Sequence, residues 1–200
     1  TPSDTYAPST AGISPEYRAK VAASSIAPSK ADNLIAAGFL IDGAGFIAFA
    51  NSNGNFGYQR TTDVNYTCTV RTEDGTGSGW VARNVEDVDK FDTDEAIQVA
   101  MAKAKGSRDA KALEPGKYTV ILEPVAVADL VTFMMFFANT RAADEGRSFL
   151  SKKGGGNRKG EKFFGDQVSL YTDPNDRIAP GAPFSGDGQP ARKMDFVRNG

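Results

Sequence analysis

The clearest periodic signal in the chain is "DTDEAIQVAMAKAKG", where Ile97, Ala100, Met101 and Ala104 recur at i, i+3, i+4 and i+7. That spacing puts the apolar side chains on one stripe of an α-helix, which has to lie against other apolar surface. The ends agree with the middle. Asp92 and Glu95 stand at capping-box spacing, and Lys103 and Lys105 precede Gly106, where positive charge favours a helix C-terminus. Upstream, from Phe39 to about residue 84, the period is two. The runs "FIAFANS", "FGYQRTT", "VNYTCTVRT" and "SGWVARN" are rich in β-branched and aromatic residues, and "NSNG" and "EDGTGSG" between them carry Asn-Gly and Asp-Gly turn chemistry. This pattern predicts an antiparallel meander. In its third run Val64, Tyr66, Cys68 and Val70 share one face, while Asn65, Thr67, Thr69 and Arg71 share the other.

Earlier in the chain, Ser14 is placed to cap a short helix with Pro15 and Glu16 in its first turn. Ser29 and Asp32 suggest a second helix start, with Gly38 closing it. Residues 1–13, rich in Pro, Ser and Thr, read as an irregular lead-in. After the Ile97 helix, "GKYTVILEP" reads as a buried strand entered through Pro115-Gly116 and ended by Pro124. Pro124 also opens a helix running from about Val125 to Arg141. Leu130, Phe133, Met134 and Phe137 form one stripe of it, and Val127, Val131, Met135 and Ala138 nearly fill the next. A helix apolar almost all round is expected to be buried, here by packing on the sheet. "DQVSLYTDP" reads as a strand, and the closing "GAPFSGDGQPARKMDFVRNG" as turns and one strand. The expected architecture is α+β: an antiparallel meander packed with helices, residues 14–200 forming a single unit.

Composition narrows the chemistry. Two hundred residues with 40% hydrophobic content can bury a core, and a net charge of −2 offers no broad field for nucleic acid or an anionic membrane. The longest apolar run, Leu130 to Ala138 broken by Thr132, is far short of the roughly 20 residues that cross a bilayer. A single cysteine cannot form an intrachain disulfide, so the cytoplasm is the expected compartment. Most decisive, the chain has no histidine. Ser-His-Asp and Cys-His nucleophile activation and the usual zinc sites all need an imidazole, so this chain alone builds none of them. Carboxylate-only chemistry stays open.

Local candidates read more simply. Cys68 has no base to activate it and is expected to pack as a small apolar residue. "GGGNRKG" lacks the G-x-x-x-x-G-K-[ST] order of a phosphate loop and reads as a surface loop. Its flanking Lys152, Lys153, Arg158 and Lys159, with Lys162, make a local positive patch able to meet nucleic-acid phosphates. Asp173, Asp176 and Asp187 lack the spacing of a calcium loop and suit turns.

Taken in order, "AAGF", "ANSNG" with "TT" and "EDGTGSG", "LEPGKYTVILEPVAVADL", "GRSFL", "DQVSLYTDP" and "APFSGDGQPARKMDFVRNG" resemble the middle of the TldD/PmbA family, the modulators of DNA gyrase associated with metallopeptidase activity and peptide maturation. The resemblance runs from about residue 14 to the end. It implies the central part of that fold, in a protein more than twice this size whose N-terminal domain and C-terminal end are not in this sequence. One kind of family member, TldD, carries His-Glu-x-x-x-His on the helix after the "VIL" strand. In this chain the matching positions are Thr132, Phe133 and Phe137, so it resembles the other kind, PmbA or TldE. Where members carry Asp-x-Glu-Gly, this chain has Ser185 and Asp187.

What the resemblance implies is a subunit not catalytic alone, without a cofactor of its own, paired with a zinc-bearing TldD-like subunit or with itself as a dimer, and acting on an unfolded peptide. Asn51, Ser52, Asn139 and Arg141, polar positions near predicted element ends, are the candidate peptide contacts. A different reading makes the chain a nucleic-acid or gyrase-associated module using the basic loop of residues 152–162.

Overall fold

Alternation along one strand sets the core. In β2 (Phe56–Thr72), Val64, Tyr66, Cys68, Val70 and Thr72 are buried, and the residues between them are more open. In the structure, a computed structural model describing residues 5–176 and 178–200, β2 pairs antiparallel on one side with β1 (Leu34–Ala50). On the other side it pairs with β3 (Ser78–Val85), giving the order β1-β2-β3. The register runs from Leu34 opposite Thr72 to Ala50 opposite Phe56, and from Arg71 opposite Ser78 to Val64 opposite Val85. The predicted meander is present. It starts at Leu34 rather than Phe39, and two of the predicted short runs fuse into the one strand β2.

The fold contains two compact units, one formed by the chain up to Leu113 together with Tyr171–Met194, the other by Glu114–Leu170 with Asp195–Gly200. The pattern of the sequence led us to expect one. Between the Ile97 helix and Pro124, the "GKYTVILEP" stretch forms no strand and is exposed throughout, Ile121 at 99%. The expected buried strand is therefore absent. A run of apolar residues shows that cover is wanted, but a ladder also needs a partner edge in register.

In the first unit, α2 (Pro15–Ala31) and α3 (Thr93–Gly106) pack on one face of the sheet. Val21, Leu34, Val64, Tyr66, Val70, Val81, Phe91, Ile97 and Met101 form the core. Ser14 caps α2 and Asp92 caps α3 by accepting from Glu95 N–H at 2.9 Å, as predicted. The second expected helix does not form: α2 is continuous to Ala31, Asn33 leaves it at φ 55°, and Leu34 already begins β1. Gly38, expected as a helix cap, lies mid-strand, where an added Cβ would sit 2.1 Å from the Thr67 carbonyl oxygen. Tyr66 Oη lies 2.8 Å from Ser25 Oγ beneath α2, and Arg18 grips Asp42 with two 2.7 Å bonds. The helix α3 approaches β3 through small residues: Ala96, Ala100 and Ala104 have no exposed surface, and Ala100 lies against Gly79 and Ala104 against Gly77 and Gly79.

The lead-in is more ordered than expected. Its residues 1–4 lie outside the described residues, but α1 (Pro8–Ala11) follows, and Thr5 fills the side of β2 that β3 does not reach. Thr62 N–H donates to the Thr5 carbonyl at 2.8 Å, and Gln59 donates to the Thr5 hydroxyl at 2.8 Å. Thr10 donates to the Glu86 carbonyl and accepts from Val88 N–H. At the far end of the hairpin, a Cβ on Gly57 or on Gly188 would strike the rings of Phe184 and Phe49 respectively, so residues 184–188 lie close on that tip.

The second unit holds α4 (Pro124–Phe137), α5 (Thr140–Asp144) and the loop of residues 147–163 folded over them. Ala143 is its buried apolar side chain among the described residues. The short strands β4 (Leu170–Thr172) and β5 (Met194–Val197) pair with each other. No helix among the described residues is long and apolar enough to cross a membrane.

Candidate functional site

The helix that the sequence marked out, α4, starts at Pro124, whose fixed φ and missing N–H suit a first turn. It ends at Phe137, and α5 begins afresh at Thr140, so the single helix expected to Arg141 is two. The sequence predicted burial against the sheet. In the structure no residue of α4 is buried, and Phe133 and Phe136 are 69% and 79% exposed. Periodicity identified the helix correctly, but it carries no information about which surface covers it.

Three residues of α4, Phe133, Met134 and Phe137, line an open hollow of about 320 Å³ with Arg147, Ser148 and Phe149 from the following loop. The loop is tied to the helices by its own polar groups. Ser148 Oγ donates to the Phe137 carbonyl at 2.7 Å, and Arg147 N–H donates to the Ala142 carbonyl at 2.8 Å. The Ser151 hydroxyl donates to the Ala143 carbonyl at 2.8 Å. Phe149 packs edge-on against Phe163, with the ring centroids 6.0 Å apart. Glu145 sits between two guanidinium groups, Arg147 and Arg141, and their hydrogen bonds hold its carboxyl below the usual carboxylate range. In the sequence, "GRSFL" puts Arg147 two positions before the aromatic Phe149 just after an apolar helix, and that is the signal that could have placed it.

The other candidates separate. Asn51 and exposed Ser52 occupy the β1–β2 turn, where Asn51 Oδ1 accepts from Asn53 and Asn55 N–H at 3.1 Å each. Asn139 caps α5 by accepting from Ala142 N–H at 3.0 Å, and Arg141 pairs with Glu145. Asn51 and Asn139 thus have local structural work, in different units. In the basic loop, Lys152 and Arg158 both pair with Glu161 at 2.9 Å, and their hydrogen bonds lower its pKa. Arg158 also lies 4.5 Å over the Phe163 ring. Lys153 and Lys159 are exposed on the same loop. Ser185 donates to Asp187 within a tight turn closed by Gly188 N–H on the Ser185 carbonyl.

A zinc ion needs nitrogen, sulfur or carboxylate donors. Thr132, Phe133 and Phe137 offer two hydrocarbon rings and a neutral hydroxyl, so the positions matching the family motif do not fit the metal. Among the described residues no group of three or more His, Cys, Asp or Glu side chains could hold one. Cys68 is 2% exposed, and burial pushes its thiol pKa up.

The fold is similar to that of two solved structures. One is a candidate modulator of DNA gyrase from Bacteroides thetaiotaomicron, with a TM-score of 0.80 and 22% identity over 98% of this chain and 45% of that one. The other is a candidate modulator of a DNA gyrase from Thermotoga maritima, with a TM-score of 0.84 and 18% identity over 98% of this chain and 46% of that one. At such identities they establish the fold, and the chain spans less than half the length of either. No curated protein matches it. Residues 13–108 match the PmbA/TldA metallopeptidase central domain, and residues 115–200 its C-terminal domain. The chain belongs to the PmbA/TldD family.

Proposed function

We propose that this chain is part of a PmbA/TldE-like subunit that is not catalytic alone and helps enclose an unfolded peptide for a zinc-bearing TldD-like partner in the cytoplasm. The observation that carries this reading is the chemistry of α4. Where a TldD-like helix would present its ligands and base, this one has Thr132, Phe133 and Phe137, and none of these can bind zinc or move a proton near neutral pH. A second feature supports peptide handling. Strand β1 is an edge of the sheet, and its 17 residues carry the apolar sequence "LIAAGFLIDGAGFIAFA". An extended peptide adds to such an edge through main-chain hydrogen bonds without its sequence being read. The nucleic-acid reading is weaker, because Glu161 already offsets Lys152 and Arg158 in the basic loop.

The test is metal analysis and peptidase assay of the full-length protein, with and without a TldD-like companion. The expected result is no stoichiometric zinc and no turnover for this subunit alone, with activity on mixing. Stoichiometric zinc bound by this subunit alone overturns the proposal.

A further inference from the structure

The side of β2 that β3 leaves bare is held by a short polar segment. Strand β3 ends at Val85 opposite Val64, so from Phe56 to Asp63 β2 has no strand on that side among the described residues. Residues 5–11 take its place. Thr62 N–H donates to the Thr5 carbonyl, and the Thr5 hydroxyl donates to the Arg60 carbonyl at 3.0 Å, so two successive outward-facing positions of β2 are filled. The Thr62 hydroxyl joins three segments, accepting from Ala7 N–H at 2.9 Å and donating to the Glu86 carbonyl at 2.8 Å. Farther along, Thr10 is bonded to Glu86 and Val88, and Ser9 donates to Asp87 Oδ1 at 2.7 Å. The Arg60 guanidinium lies 3.8 Å over the Tyr6 ring. The buried side chains of this stretch are Thr5 and Thr10, both polar, and among the described residues Ile13 is the first apolar side chain packed against the core.

Lifting residues 5–11 off β2 mainly exchanges protein hydrogen bonds for bonds to water, a small net loss for each. Opening the core instead exposes Val64, Tyr66, Val70 and Ile97, which costs far more. We propose that residues 5–11 are a releasable strap. It opens while the rest of the first unit stays folded, and its release turns the backbone of Arg60 and Thr62 into a free edge. An extended chain with hydroxyl side chains at the places of Thr5 and Thr10 can then occupy that edge in its stead. Closed, the strap guards the edge from other strands.

Hydrogen exchange on the full-length protein compares the amides of Thr62 and Val88, which donate to the strap, with those of Val64 to Val70 in the middle of the sheet. The first set is expected to exchange about 10-fold or more faster. Exchange of both sets in step overturns the strap. Thr5→Val combined with Thr10→Val removes the strap's hydroxyls and leaves its seat of Gln59, Arg60, Thr62 and Glu86 unaltered. It should speed the first set again and leave Val64 to Val70 unchanged; equal acceleration of both sets shows that the segment belongs to the core and overturns the proposal. Fluorescence anisotropy then follows a labelled peptide copying residues 5–13. Because the unaltered protein's seat is already filled, the copy should bind the double variant about 10-fold or more tighter, and a copy with Val at both threonine places should bind neither protein. Equal binding of the copy to both proteins, or no saturable binding to the variant, overturns the free edge. If the variant fails to fold, the exchange comparison on the unaltered protein decides alone.

Discussion

Replacing Gly79 by Ala tests how tightly α3 is seated on the sheet. A Cβ at this position would lie 2.1 Å from the Ala100 carbonyl oxygen, 2.6 Å from Ala104 N and 2.7 Å from Lys103 Cβ, against 3.4–4 Å for ordinary contact. Relief requires the helix or the strand to move by about 1 Å, and the atoms struck belong mostly to backbone, which cannot rotate away. Moving α3 loosens Ala96, Ile97, Ala100, Met101 and Ala104 together, all of them buried. Overpacking of this kind costs about 1–3 kcal/mol, and a rigid backbone neighbour points to the upper end. Ala also restricts the unfolded chain, offsetting about 0.4–1 kcal/mol, so a net loss of about 2 kcal/mol is expected. In urea that shifts the midpoint by on the order of 1 M with unchanged slope. Trp80, the single tryptophan of the chain, is the next residue and reports the transition by fluorescence. Gly45→Ala is the control, since a Cβ there meets nothing within 4 Å, and it should be neutral or slightly stabilising. A Gly79→Ala protein as stable as its parent, or a Gly45→Ala protein equally damaged, refutes the reasoning.

Other outcomes follow from single groups. Asp74 accepts from the Thr72 hydroxyl, then from Thr76 N–H and the Thr76 hydroxyl, which lowers its pKa to about 2. Its contribution to the β2–β3 turn is complete above the unfolded value near 4 and lost as pH falls through about 2, a shift that a carboxyl NMR titration would show. A midpoint near 4 would contradict it. Burial, only partly offset by the Ser25 hydroxyl, pushes Tyr66 up to about 12, so its stabilising effect is present below pH 10 and disappears as pH rises through about 12. Absorbance titration should find one tyrosine ionising that late, and a chain in which all titrate together near 10 contradicts it. Cys68 should resist a thiol reagent in the folded protein and react in denaturant; rapid labelling of the native state would show that the core is not closed over it. Neutralising Lys152, Lys153, Arg158 and Lys159 together should leave nucleic-acid affinity unchanged at physiological salt, and a large loss would revive the nucleic-acid reading.

Local rules located most of the first unit. The stripe of α3 and its Asp92 cap, the alternating face containing Cys68, and the Asn-Gly and Asp-Gly turns, with Gly54 at φ 83° and Gly75 at φ 73°, were all legible. The failures share a cause. Gly38 looked like a helix cap because a cap is the commonest local use of glycine there, whereas its reason is the Thr67 carbonyl 29 positions away along the chain. The "VIL" stretch and α4 looked buried because they are apolar, yet burial depends on a second surface that no local pattern names. The candidate site was legible in part. Phe133 and Phe137 were singled out, but Arg147 joins them only when the loop folds back.

The seating of Thr5 and Thr10 has a bearing on the order in which the protein assembles. Thr5 reaches residues of β2 more than fifty positions on, and Thr10 bonds Glu86, 76 positions on. During synthesis these residues leave the ribosome before their partners and have nowhere to dock until the hairpin and Glu86 have emerged, at about 5–20 residues per second. Contacts of such long sequence separation form late and slow the approach to the native state. The start of this segment is therefore expected to be among the last parts of the first unit to settle, closing over β2 after the rest is in place.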